Sequence, residues 1–82
     1  MIYAVNVTVS LKAGMLNPEA STIERSLALL GYEVKDTKTS EEISFVMEDE
    51  SEEAVREKVD NMCQKLLCNP IIHNYEITIT EE

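Results

Sequence analysis

Strict alternation of apolar and polar side chains over residues 1–11 constrains the fold more than any other feature of the sequence. In MIYAVNVTVSL one parity is valine or tyrosine, at Tyr3, Val5, Val7 and Val9. The polar side chains Asn6, Thr8 and Ser10 occupy the other parity. Because successive side chains of a strand point to opposite faces, this pattern predicts a strand with one buried face. The chain must therefore build a sheet.

The segment after this strand predicts a helix, and residue types typical of helix ends occur both before and after it. Asn17 is suited to cap the helix and Pro18 to occupy its first position, where a missing N–H costs nothing. Gly31 is suited to end it. Between these residues apolar side chains recur at steps of three and four, at Ala20, Ile23, Leu27 and Leu30. We expect a helix that buries this stripe.

The middle of the chain predicts a hairpin and then a second helix. YEVKDTK (residues 32–38) and EISFVME (residues 42–48) have the character of two strands joined around residues 39–41, with Val34 the only strong apolar position of the first. Residues 49–67 are predicted to be helical, with Asp49 or Ser51 as cap. The expected apolar stripe of this helix comprises Val55, Val59, Met62, Cys63, Leu66 and Leu67.

The end of the chain predicts a last strand, NYEITIT (residues 74–80), after a helix stop at Asn69-Pro70. Asn69 is a residue type that tolerates the left-handed backbone often found at a helix end. The complete order is strand, helix, strand, strand, helix, strand. We therefore predict one α+β domain over residues 1–82 with the ferredoxin-like βαββαβ fold, in which two helices cover one face of a four-stranded antiparallel sheet.

The charge balance excludes several classes of partner. Seven Lys and Arg residues stand against 16 Asp and Glu residues, for a net charge of −9. Nucleic acids and anionic membrane surfaces attract basic faces, so neither is an expected partner. No apolar run approaches the roughly 20 residues that span a bilayer. With two cysteines and no leader pattern, we expect a cytoplasmic protein with free thiols.

Its small size predicts that the chain associates with itself. An 82-residue chain buries a modest share of its surface, and the expected sheet has a face that no helix covers. Ile2 and Ala4 place apolar side chains on that open face. A dimer or a higher oligomer would bury them.

The densest group of reactive side chains lies in MCQKLLCNPIIHNY, which contains Cys63, Cys68 and His73. Two cysteines five apart on a helix do not converge on one metal ion, and a single histidine does not complete a zinc site. Cys63 lies on the apolar stripe, where a thiol packs as a small apolar group. A Cys68–His73 pair lacks an acidic group to orient the histidine. Two glycines are too few for a phosphate-binding loop. The residues predict no catalytic group, no metal ligand and no cofactor.

Two motifs carry a resemblance to a known family. SLKAGMLNP is similar to the family pattern S-L-K-x-G-V-L-D-P, with Asn17 in place of the aspartate. MCQKLLCNPIIHNY is similar to M-C-x-K-L-L-A-N-P-V-I-E-x-Y, with Cys68 at the alanine and His73 at the glutamate. On these motifs the sequence resembles PurS, the small subunit of phosphoribosylformylglycinamidine synthase. Where the family hairpin reads V-R-x-G-K, this chain instead has the residues Thr37, Lys38, Thr39, Ser40 and Glu41.

The resemblance implies a non-catalytic subunit of a ligase complex. In such systems a glutaminase subunit releases ammonia, and an ATP-dependent synthetase subunit uses it to convert formylglycinamide ribonucleotide to the amidine in purine synthesis. The small subunit bridges the two and assists ammonia transfer. The implied partner-binding residues are those of the two motifs: Lys12, Leu16, Pro18, Asn69, Pro70, Ile72 and Tyr75.

A different function remains open for the same order of elements. ACT-like regulatory domains share the βαββαβ arrangement and bind free amino acids where a first loop and helix meet another protomer. GMLNP before a helix suits that use, because helix N–H groups can hold a carboxylate.

Overall fold

The central strand of the sheet is the alternating segment at the N-terminus. The computed structural model describes all 82 residues, and in it β1 (Ile2–Leu11) pairs antiparallel with β2 (Ser40–Glu48) on one side and with β3 (His73–Glu81) on the other. Val7, for example, lies opposite Ile43 of β2 and Ile77 of β3. The three-stranded sheet therefore has the order β2-β1-β3.

The core lies between one face of this sheet and the second helix, α2 (Glu52–Met62). The four alternating residues of β1 are all buried, as the sequence predicts. From α2 and the turn after it, Val55, Val59 and Cys63 complete the core, each with no exposed surface. α2 packs against β3, so it covers the β1–β3 part of the face.

The first helix, α1 (Pro18–Leu29), has both of the predicted end structures. The Asn17 side-chain oxygen accepts a hydrogen bond from the Ala20 N–H (3.0 Å). At the other end, the N–H groups of Gly31 and Tyr32 donate to the carbonyls of Ala28 and Leu27, with Gly31 at φ 96°. This pair of bonds is the Schellman motif, which satisfies carbonyls that the helix leaves free.

The predicted fourth strand is not formed. Residues 32–39 are irregular, with Asp36 at a positive φ of 54°, and the sheet has three strands instead of four. Residues 32–38 contain one strongly apolar side chain, Val34, and so have little apolar surface to bury against a neighbouring strand. The expectation that both helices cover the sheet is also wrong for α1, which has no extensive contact with any strand.

The second helix ends in a π-helical turn, Cys63–Leu67, that the sequence did not reveal. The Cys68 N–H donates to the Cys63 carbonyl five residues earlier (3.1 Å). A π-helical turn contains more residues than an α-helical turn, so the side chains in it and after it are rotated away from the apolar stripe of α2. Leu66, predicted to be on the stripe, is therefore exposed, while Leu67 packs against the core. Of the two predicted caps, Ser51 is the one that accepts from the helix, at the Ala54 N–H (3.2 Å).

Both helices are short, at 12 and 11 residues. Spanning a bilayer takes about 20 apolar residues. No helix of the structure combines the length and the hydropathy that a membrane crossing requires.

Candidate functional site

The two sequence motifs meet at one end of the molecule. The Lys12 N–H, just after β1, donates a hydrogen bond to the Ile72 carbonyl just before β3 (2.8 Å). Two residues that are 60 positions apart in the sequence are thereby held side by side. We call the surface formed by residues 12–18 and 66–73 the loop end.

The first half of the loop end is a tight turn that leads into α1. The Lys12 carbonyl accepts from the Met15 N–H (3.2 Å), and Gly14 has φ 85°. A positive φ of this size is unfavourable for residues that carry a Cβ, so glycine suits the position. The turn leaves the Leu16 side chain 91% exposed, and Pro18 is exposed at the first position of α1.

The second half of the loop end is a turn organised by Asn69. Its side-chain oxygen accepts from the Ile71 N–H (3.1 Å), and its carbonyl accepts from the N–H groups of Ile72 (3.0 Å) and His73 (2.8 Å). The Asn69 N–H donates to Nδ1 of His73 (2.9 Å). Asn69 does not adopt the left-handed backbone anticipated from its residue type, since its φ is not positive. It shapes the corner through its side chain instead.

An exposed apolar patch is the main chemical feature of the loop end. Leu16, Leu66 and Ile71 are 91%, 83% and 80% exposed. Pro70, also predicted as a site residue, is exposed beside Ile71, whereas Ile72 is half-buried. Sequence reasoning missed Leu66 and Ile71: the π-helical turn exposes the first, and the Asn69 turn presents the second. Large apolar side chains left in solvent at one end of a molecule make that end a candidate protein-binding surface.

Tyr75 is a predicted site residue that lies on β3, outside the loop end. It is half-buried between β3 and α2, and its hydroxyl donates to a carboxylate oxygen of Asp60 (2.5 Å). The hydrogen bond to Asp60 is the main cause of a raised pKa for the Tyr75 hydroxyl. The side chain therefore links the sheet to α2.

The two thiols are not arranged as nucleophiles. Cys63 is buried, as predicted, and Cys68 is half-buried with its Sγ donating to the Cys63 carbonyl (3.2 Å). Burial raises the pKa of both thiols, which disfavours the reactive thiolate. His73 is oriented by the Asn69 N–H.

The segment that departs from the family hairpin lies next to the loop end. Thr37, Lys38 and Thr39 line an open cleft of about 550 Å³ together with Lys12 and Gly14. A partner that contacts the loop 12–17 would therefore also approach the altered residues.

Comparison with known proteins identifies the family. Residues 4–81 match the sequence model of PurS, phosphoribosylformylglycinamidine (FGAM) synthase. The chain belongs to the PurS family. The phosphoribosylformylglycinamidine synthase subunit PurS of Methanothermobacter thermautotrophicus is 59% identical over 81 residues, which are 99% of this chain and 96% of that protein.

Solved PurS structures share the fold. One structure of the PurS subunit of FGAM synthetase, 60% identical, superposes with a TM-score of 0.90 over 94% of this chain and 92% of its own. A chain in the structure of PurLQS from Thermotoga maritima, 28% identical, gives a TM-score of 0.87 over 98% of this chain and 99% of its own. These matches favour the PurS interpretation of the sequence over the ACT-like alternative.

Proposed function

We propose that the protein is the bridging subunit of a phosphoribosylformylglycinamidine synthase complex. It joins a glutaminase subunit to an ATP-dependent synthetase subunit and assists the transfer of ammonia between them. The family match over residues 4–81 supports this assignment, as does the likeness to a chain of the Thermotoga maritima PurLQS structure. A role in purine synthesis also supports a cytoplasmic location.

The exposed apolar patch at the loop end carries the proposal. Two segments far apart in sequence are held together there by the hydrogen bond between Lys12 and Ile72. Their exposed leucine and isoleucine side chains contribute nothing to the core of the chain itself. We assign the patch to contact with the synthetase subunit, with Leu16, Leu66 and Ile71 as the apolar anchors.

A reconstituted complex tests the assignment. Leu16→Asp and Ile71→Asp each place a charge in the patch and should weaken association of the chain with the synthetase at least tenfold, since a charge buried at an interface is costly. Glutamine-dependent turnover should fall with assembly. Ammonia-dependent turnover by the synthetase alone should stay unchanged, because that reaction needs no transfer between subunits.

Leu29→Asp is the matched control. Leu29 is as exposed as the patch residues, at 87%, but lies on α1 away from the loop end. Loss of assembly in the control as well would mean that the charge acts nonspecifically. Full assembly and full glutamine-dependent activity in both patch variants would refute the assignment of the surface.

A further inference from the structure

Two lysines line the cleft beside the loop end, although the protein as a whole is strongly acidic. Lys12 comes directly after β1 and Lys38 shortly before β2, and both line this cleft of about 550 Å³. The whole chain has seven Lys and Arg residues against 16 Asp and Glu residues. Lys12 is half-buried, and neither lysine forms an ion pair, since the one ion pair of the chain joins Lys58 to Asp49. Both ammonium groups are therefore free to bind an anion.

The backbone of both segments adds hydrogen-bond donors to the cleft. Gly14 lines the cleft with its backbone alone, and its N–H donates to no backbone carbonyl of the chain. The N–H groups of Thr37 and Lys38 likewise have no backbone acceptor. Ammonium and N–H donors together suit an anion with several oxygens, such as phosphate, because each oxygen can accept from a different donor. The donors come from two separate segments and not from a glycine-rich loop.

The rest of the cleft lining is polar. Only three of the 12 lining residues are apolar, whereas sites for drug-like ligands are lined mainly by apolar side chains. Ser10, Asn74 and Asp36 contribute a hydroxyl, an amide and a carboxylate. Asp36 is the one acidic residue of the lining, and it forms no ion pair with either lysine. A carboxylate without a cation accepts hydrogen bonds from hydroxyl groups, so this lining suits a ligand that carries several hydroxyls.

The backbone at Asp36 is a second sign that the cleft has a ligand. Asp36 is the only non-glycine residue of the chain with a positive φ, at 54°. This conformation is unfavourable for a residue that carries a Cβ, and residues held in it are concentrated at active sites and ligand sites. Here the unfavourable backbone belongs to the one carboxylate that lines the cleft.

We propose that this cleft binds a small sugar phosphate. Lys12 and Lys38 hold the phosphate group together with the free backbone N–H groups beside them, and the Asp36 carboxylate accepts from the sugar hydroxyls. The cleft volume of about 550 Å³ lies within the range of small-molecule sites, about 300–1,000 Å³. Nucleic acids also carry phosphate groups, but they extend beyond a cleft of this size onto a surface whose net charge is −9. The ligand is therefore a single phosphorylated sugar and not a polymer.

Titration calorimetry of the purified chain tests the proposal without any partner subunit, so its outcome is independent of the proposed function. The probes are ribose 5-phosphate, ribose and inorganic phosphate. We expect ribose 5-phosphate to bind with a Kd below about 1 mM, inorganic phosphate to bind at least tenfold more weakly, and ribose to show no measurable binding. Equal affinities for ribose 5-phosphate and inorganic phosphate would overturn the assignment to a sugar phosphate. Failure of all three probes to bind would overturn the site itself.

Variants of the lining residues test which groups hold the ligand. Lys12→Gln and Lys38→Gln should each raise the Kd for ribose 5-phosphate at least tenfold. Asp36→Asn keeps a residue type that tolerates a positive φ, and it should raise the Kd for ribose 5-phosphate but not the Kd for inorganic phosphate. Lys65→Gln is the matched control, because it removes the same charge from an exposed side chain outside the cleft. Equal weakening by Lys65→Gln would mean that net charge alone governs binding, which would contradict the proposal.

Amide NMR of the wild-type chain locates the binding and needs no variant to fold. Ribose 5-phosphate should shift the amide signals of residues 12–15 and 36–39 and leave those of α2 unchanged. Shifts confined to other parts of the chain would place the ligand elsewhere and refute the proposal. If these amides do not respond, and Lys38→Gln instead weakens association with the synthetase, the cleft is a protein contact and the proposal is wrong.

Discussion

Asn17 and Thr39 are 22 residues apart in sequence, yet their side chains hydrogen-bond to each other where the chain enters α1 and where it returns to β2. The Asn17 amide donates to the Thr39 hydroxyl at 3.0 Å, and the same asparagine caps α1 through its oxygen. One side chain therefore fixes where α1 begins and how the chain returns from it.

Replacing Asn17 with alanine removes both interactions. Loss of a helix cap typically costs about 1 kcal/mol, which for a domain of this size lowers Tm by roughly 4–8 °C. Asn17→Asp should be nearly neutral, because aspartate also caps helices and can accept from the Thr39 hydroxyl. Thermal unfolding by circular dichroism measures both, with Asn61→Ala on the exposed surface of α2 as the control. Equal Tm values for Asn17→Ala and wild type would contradict the role given to this side chain.

Asn69→Ala should disturb the corner that presents Ile71. The substitution removes the oxygen that accepts from the Ile71 N–H. We expect weaker assembly with the synthetase and slower glutamine-dependent turnover, while ammonia-dependent turnover by the synthetase alone is unchanged. Asn69→Asp keeps an acceptor oxygen at the same place and should retain assembly. If the alanine variant assembles and turns over like wild type, the corner only terminates the helix.

Neither cysteine should be needed for turnover of the complex. Cys68→Ala removes a half-buried thiol whose hydrogen bond goes to a backbone carbonyl, so glutamine-dependent activity should stay near the wild-type value. Cys63→Ala leaves a small void in the core and should lower the free energy of unfolding by about 1 kcal/mol. Turnover assays and urea titrations measure the two effects. Loss of activity in a folded Cys68→Ala variant would show that the thiol has a chemical role.

Asp49 should make stability depend on pH in the acid range. The hydrogen bond from Lys58 is the main cause that lowers the pKa of the Asp49 carboxyl below its ordinary value of 3.8. The unfolded chain titrates at the ordinary value, so the stabilisation is complete above that pH and is lost as the pH falls through the lower, folded pKa. Asp49→Asn should therefore be less stable than wild type near neutral pH, and the difference should shrink in strong acid.

Urea titrations of wild type and Asp49→Asn at about pH 7 and about pH 3 measure this difference directly. Glu50→Gln is the control, because it removes a neighbouring carboxylate whose side chain makes no hydrogen bond or ion pair. A gap between wild type and Asp49→Asn that stays constant over the whole range would contradict the assignment to the Lys58 contact.

Local signals in the sequence predicted most elements of the fold. The alternation of β1 and the caps at Asn17 and Gly31 are determined by residues close together in the chain, and each was confirmed. The prediction of a strand at residues 32–38 was wrong. A segment pairs at the edge of a sheet only when the free edge of another strand lies within its reach. Local pattern carries no information on that point.

The candidate site was predictable only in part, for a similar reason. The resemblance to PurS identified the two motifs, but the proximity of Lys12 and Ile72 appears only in the folded chain. The position of Leu66 in the sequence matches the spacing of the apolar stripe of α2. In the folded chain Leu66 lies in the π-helical turn, and its side chain is exposed. Tyr75 matched the motif, yet its contact with Asp60 gives it a structural role.

The central position of β1 has a consequence for how the protein folds. Both strands that pair with β1 come from later parts of the chain: β2 begins at residue 40 and β3 at residue 73. The Glu82 N–H even donates to the Ile2 carbonyl (2.9 Å), closing a loop that contains nearly the whole chain. Folding rates fall as contacts connect more distant residues, because the entropy of loop closure is lost before the contacts form. β1 precedes both of its partner strands in the chain, and its second edge stays unpaired until β3 is available, so we expect slow folding for a domain of this length.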